Sequence, residues 1–174
     1  MLDYLNKENI PVTIISAGFG DLVTEILKIH NVYFPNLHII SNFFKFDENG
    51  NMIGFQDDII HAYNKNKIDF YARLNKRHTE RTLLSEKQKR SNVILMGDSL
   101  GDPCMADGMK DVSAILKVGF LNYGMDTQEQ QSRINSYLDV YDIVCIDDHS
   151  VDVVNFILRG ILTCTDPHAE IKIK

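Results

Sequence analysis

Apolar residues fall into two rhythms that alternate from one end of the chain to the other. Short runs at 12–15, 37–41, 93–96, 114–118 and 142–146 are rich in Val, Ile and Leu and read as buried strands. Between them lie helical patterns. Residues 2–8 predict the last turns of a helix that begins before them, stopped by Pro11. Asp21 opens a second helix with Leu22, Val23, Ile26, Leu27 and Ile29 as its apolar positions. Further helices are predicted near 104–108, over 127–137 and over 151–161. The small residues at 16–20 predict a turn. Phe43 to Phe46 and Met52 to Phe55 flank Asp47-Glu48-Asn49-Gly50-Asn51, which predicts a β-hairpin. A polar, partly helical connection is expected over 66–90, and the tail from Thr163 is weakly patterned. Strands alternating with helices predict an α/β fold with a doubly wound parallel sheet and a small hairpin insertion.

Composition narrows the function classes. At 174 residues, 44% hydrophobic and 24% charged, the chain is expected to form one core domain over 1–174. No apolar run approaches the ~20 residues of a membrane span, and the first residues lack the basic-then-apolar layout of a secretory signal. Cys104, Cys145 and Cys164 are widely spaced, with no Cys-x-x-Cys. They read as reduced thiols in a cytoplasmic setting and argue against a zinc site. Net charge is −6, but residues 65–90 hold nine of the 18 Lys/Arg against three acids, so that stretch is +6 and the remainder −12. Lys76-Arg77-His78 and Lys87-Gln88-Lys89-Arg90 read as a solvated face, because the acidic balance elsewhere repels a polyanion. No nucleic-acid or membrane partner is expected.

Three stations carry the chemistry. Ser16, with the Ala17 and Gly18 amides, joins a strand end to a helix start, where backbone N–H groups and a hydroxyl form an anion pocket; the same serine could simply cap the helix. Lys65 could neutralise a phosphate oxygen, or be an ordinary surface lysine, and Lys67 is close enough to be confused with it. The run Val93-Ile94-Leu95-Met96 ends at Gly97-Asp98-Ser99-Leu100-Gly101-Asp102. Ligands of open α/β sheets bind beyond the carboxyl ends of strands, and Mg2+ is held by one or two carboxylates with water and phosphate oxygens. Asp98 and Asp102 are therefore candidate metal residues.

The order Ser-Ala-Gly, then Lys, then Gly-Asp-Ser-x-Gly-Asp resembles the haloacid-dehalogenase-like phosphohydrolases, and more closely the cytosolic pyrimidine 5′-nucleotidase (type III) family. Ser41-Asn42-Phe43, Phe46-Asp47-Glu48, Asn64-Lys65, Asp107-Gly108 and Gly119-Phe120-Leu121-Asn122 continue the likeness, which runs from about Ile10 to Ile161. The resemblance implies Mg2+-dependent hydrolysis of nucleoside 5′-monophosphates, pyrimidine ones preferred, through an aspartyl-phosphate. Some members also act on 7-methylguanosine monophosphate, and some transfer phosphate to a nucleoside. Carried over, Ser16, Ala17 and Gly18 bind the phosphate and Lys65 contacts it. Asp98 binds Mg2+, and Asp102 supports the metal site, in part through water.

One departure matters. The family's first motif, an Asp-x-Asp whose first acid is the nucleophile, occurs nowhere in these 174 residues. Adjacent acids such as Asp57-Asp58 or Asp147-Asp148 would point to opposite faces of a strand. The expectation is thus the carboxyl-terminal part of such an enzyme, without its central first strand and its base-selecting cap, and inactive alone. A break is expected between the strand ending at Ser16 and the strand ending at Asp98, leaving the isolated chain marginally stable. The segment 66–90 is also longer and more basic than the family pattern. Two alternatives are a non-catalytic relative that binds nucleotide or a protein, and a phosphatase of the same superfamily acting on phosphoserine.

Overall fold

The computed structural model describes residues 1–61, 64–65, 90–107, 109, 112–122 and 127–164; the side chains of 127–129 and 164 are outside that description. Expectations for 66–89, Lys67, Gly108 and the tail from 165 fall outside the described residues.

Helix α1 (Leu2–Lys7) leads into strand β1 (Val12–Phe19), helix α2 (Gly20–Ile29) and strand β2 (Leu37–Asn42). Strands β3 (Phe44–Phe46) and β4 (Met52–Phe55) form the expected antiparallel hairpin. Strand β5 (Asn92–Gly97) precedes a 3₁₀ helix (Asp102–Ala106), strand β6 (Ala114–Leu121), helix α3 (Thr127–Leu138), strand β7 (Ile143–Ile146) and helix α4 (Asp152–Cys164). β1 and β2 pair in parallel, and β5, β6 and β7 form a parallel sheet in that order. Among the described residues β1 pairs only with β2 and β5 only with β6, so the sheet is broken where the sequence led us to expect it.

The pleat of β6 divides the core. Val118 and its same-face neighbour Phe120 pack with Leu5, Cys145, Val154 and Leu158, covered by α1 and α4. Leu121 faces the other way with Leu95, Ala106, Tyr137 and Tyr141, covered by α3 and the 3₁₀ helix. Helices thus lie on both faces, as a doubly wound sheet requires.

Two elements differ from the sequence reading. The turn expected at 16–20 is instead the end of β1, which continues to Phe19. Ile15 pairs with Ile40 and Phe19 with Asn42, so four steps along β1 match two along β2, and the surplus bulges out at Ser16-Ala17-Gly18. The helix expected near 104–108 begins earlier, at Asp102, and is a 3₁₀ turn with Pro103 in its first positions. The Asp102 carboxylate bonds back to the chain three and four residues before it, which winds this segment tightly.

Candidate phosphate and cation site

The bulge in β1 sets the first station. The Gly18 amide donates to Ser16 Oγ at 3.1 Å, which leaves the hydroxyl proton as a donor to something else. Two residues from the end of β2 hold the bulge from behind. Ser41 Oγ donates to the Gly18 carbonyl at 2.8 Å, and Asn42 Nδ2 donates to the Ala17 carbonyl at 2.9 Å. Both are buried. Asp21, at the start of α2, accepts from the Phe44 amide at 2.8 Å and fixes the hairpin beside it.

Asn42 also reaches the second station. Its side chain donates to the Ile60 carbonyl at 2.9 Å and accepts from the Ile60 amide at 2.7 Å. The side chain of Asn64, next to Lys65, donates to the Ile59 carbonyl and accepts from the His61 amide. The Lys65 ammonium lies 2.7 Å from Asp102 Oδ1.

The third station closes on the second. Asp102 is 2% exposed, and its other oxygen, Oδ2, accepts from the Asp98 and Ser99 amides at 3.0 Å each. Burial alone would raise this carboxyl, but the Lys65 ammonium and the hydrogen bonds from Ser99 outweigh it and hold the group below its ordinary 3.8. Both Asp102 oxygens are therefore occupied by protein donors. Asp98 is the opposite case: it is exposed, and among the described residues its carboxylate has no hydrogen-bond or ion-pair partner.

Hydrogen bonds and chain neighbours together relate the six candidate residues, from the β1 bulge through Asn42 to Ile60, and from Asn64 and Lys65 to Asp102 and Asp98. Among the described residues there is no cluster of three or more His, Cys, Asp or Glu side chains fit to enclose a metal. A single free carboxylate at a strand end suits Mg2+, which keeps most of its waters and takes phosphate oxygens; it does not suit a zinc cage. Of the two candidate metal residues, Asp98 has a carboxylate open to a cation, whereas both oxygens of Asp102 are taken up by Lys65 and by the Asp98 and Ser99 amides.

Residue patterns alone did not single out Asn42, Tyr137 or Tyr141 as supports of this site. The tyrosine hydroxyls donate to the Asp98 and Ser99 carbonyls, at 2.6 Å each. Their i, i+4 spacing was visible, but what it reached depended on the strand register.

A family model described as pyrimidine 5′-nucleotidase (UMPH-1) matches residues 1–162. A 7-methylguanosine phosphate-specific 5′-nucleotidase of Mus musculus is 42% identical over 160 residues, which cover 92% of this chain and 49% of that protein. Among solved structures, cytosolic 5′-nucleotidase IIIB bound to cytidine superposes with a TM-score of 0.76 at 33% identity, covering 97% of this chain and 53% of its own. A probable phosphoserine phosphatase from Vibrio cholerae shares the fold alone, at 15% identity and a TM-score of 0.53 over 97% of this chain and 42% of its own. The chain spans about half the length of the curated relatives it matches.

Proposed function

The chain belongs to the pyrimidine 5′-nucleotidase family, and from that premise we propose that residues 1–174 form one core domain carrying the phosphate- and cation-binding part of a nucleoside 5′-monophosphate phosphohydrolase. The observation that carries this reading is the Lys65–Asp102 pair, whose second carboxylate oxygen holds the Asp98 and Ser99 amides. It ties a phosphate-neutralising ammonium to the loop that presents a free carboxylate.

The roles follow from the donors available. Ser16 Oγ and the Ala17 amide bind phosphoryl oxygens, and the Gly18 amide, which donates to Ser16 Oγ, turns the hydroxyl proton toward them. Lys65 offsets their charge, and its ammonium is kept in place by Asp102. Asp98 holds Mg2+, which when bound supplies further neutralisation of the phosphoryl group. Residues 1–174 contain no Asp-x-Asp, so this stretch by itself binds a nucleotide without turning it over. The site works in the cytoplasm, a reading supported by the IIIB relative's description as cytosolic.

Pyrimidine monophosphates are the preferred substrates, a reading supported by the family description and by the cytidine held by the IIIB relative. A second reading, 7-methylguanosine monophosphate, is favoured by the name of the 42%-identical mouse protein. Isothermal titration of the chain with CMP, UMP and 7-methylguanosine monophosphate separates them by affinity. Lys65→Ala is expected to weaken binding of whichever is preferred by about tenfold or more, the worth of a charge-assisted contact. Unchanged binding in that variant overturns the phosphate assignment. Phosphate release by residues 1–174 above background would show that the nucleophile lies within them.

A further inference from the structure

We propose that Tyr137 and Tyr141 are positioning residues that aim the Asp98 carboxylate, an inference that rests on the cation site assigned above. Asp98 projects from a short loop, and the direction of its Cα–Cβ bond, from which the carboxylate swings, is set by the two peptide units that flank its Cα. The unit before it is held through the Asp98 N–H, which donates to Asp102 Oδ2 at 3.0 Å. The unit after it is held at both ends. Its carbonyl, that of Asp98, accepts the Tyr137 hydroxyl at 2.6 Å, and its N–H, that of Ser99, donates to Asp102 Oδ2 at 3.0 Å. The Tyr141 hydroxyl then takes the Ser99 carbonyl at 2.6 Å. With these groups engaged the peptide units on both sides of Asp98 are tethered, while its carboxylate stays open.

The sheet is shaped to admit the phenols. Gly97 and Gly119 are register partners on neighbouring strands, and so lie side by side on one face. A Cβ on Gly97 would meet the Tyr141 hydroxyl at 2.7 Å, and a Cβ on Gly119 would meet the Tyr141 ring at 2.7 Å. Two adjacent glycines thus make a flat bed on which the Tyr141 ring lies, and Tyr137 stacks on that ring with centroids 5.5 Å apart. Both rings are buried, so the hydroxyls reach the loop from a fixed base. Groups that orient a metal ligand from behind commonly change metal affinity when removed.

The test is Mn2+ binding to the full chain, followed by water-proton relaxation, a readout that needs no turnover. Tyr137→Phe, Tyr141→Phe and the double variant keep both rings and remove only the hydroxyls. The double variant is expected to weaken Mn2+ binding by about tenfold, with each single variant part of the way. The single variants carry the test should the double fail to fold. Circular dichroism confirms which variants are native. Unaltered affinity in the folded Phe variants, with Asp98→Asn abolishing binding, overturns the positioning role alone. If the parent chain does not bind Mn2+, or Asp98→Asn leaves binding unchanged, the cation assignment fails and this proposal with it.

Discussion

Asp102 is almost fully buried and yet charged, and its partners explain how. A carboxylate removed from water is tolerated when every oxygen finds a donor, and here one oxygen meets an ammonium and the other two amides. Asparagine has the same shape but no charge to offer Lys65, which is itself largely buried. Asp102→Asn is expected to lower unfolding stability by about 3 kcal/mol at neutral pH, the cost of breaking a buried pair, as read by urea denaturation. The pH dependence supplies a second readout. A carboxyl depressed in the folded state contributes stability that is fully present above its unfolded value, near 3.8, and fades as pH falls through the lower folded value. The stability gap between parent and variant should therefore be constant from pH 7 to about pH 5 and narrow below 3.8. A gap that persists unchanged into strong acid would mean the charge on Asp102 contributes nothing.

At the scale of elements, the end of β2 does more than its six buried residues suggest. Asn42 joins the β1 bulge to the segment that delivers Lys65, through three hydrogen bonds to backbone groups. Asn42→Ala leaves those groups unpaired in a buried setting and should cost about 3 kcal/mol, measurable as a lowered urea midpoint. Gly119→Ala should also destabilise, by ~1–3 kcal/mol, because the added carbon displaces the Tyr141 ring. These supports mark the limit of what the sequence disclosed. The strands, the hairpin and the helices were legible because apolar spacing reports which face is buried. Ser16, Lys65, Asp98 and Asp102 stood out as candidates because their order carries a family pattern. The bulge was not, since Ser-Ala-Gly satisfies a turn and a strand end equally, and only the pairing of Ile15 and Phe19 with β2 decides between them. The tyrosine bed was hidden for the same reason. Gly97 and Gly119 are 22 residues apart, and their adjacency exists only once β5 and β6 are in register.

Across the whole molecule, strand edges and one apolar helix face are left without a partner among the described residues. Strands β1 and β5 each have an edge without a strand partner among the described residues. Helix α2, which follows β1, leaves Leu22, Ile26 and Ile29 at 58%, 47% and 73% exposure. Those three recur at helical spacing, so they form a stripe along one side of the helix and not a scatter of single residues. Unpaired strand edges template pairing with another chain, and a contiguous apolar stripe associates with any similar surface. The isolated 174-residue chain should therefore self-associate as its concentration rises, and sedimentation velocity would register the growth. Ile26→Glu with Ile29→Lys breaks the stripe and adds an ion pair at a spacing too short to strain the helix. Because both side chains already face water, the urea midpoint should move by no more than ~0.5 kcal/mol. The sedimenting species should become smaller at equal concentration. Should the double variant associate as strongly as its parent, the α2 stripe is not what drives the process, and the strand edges, which the substitutions leave intact, are the next to test.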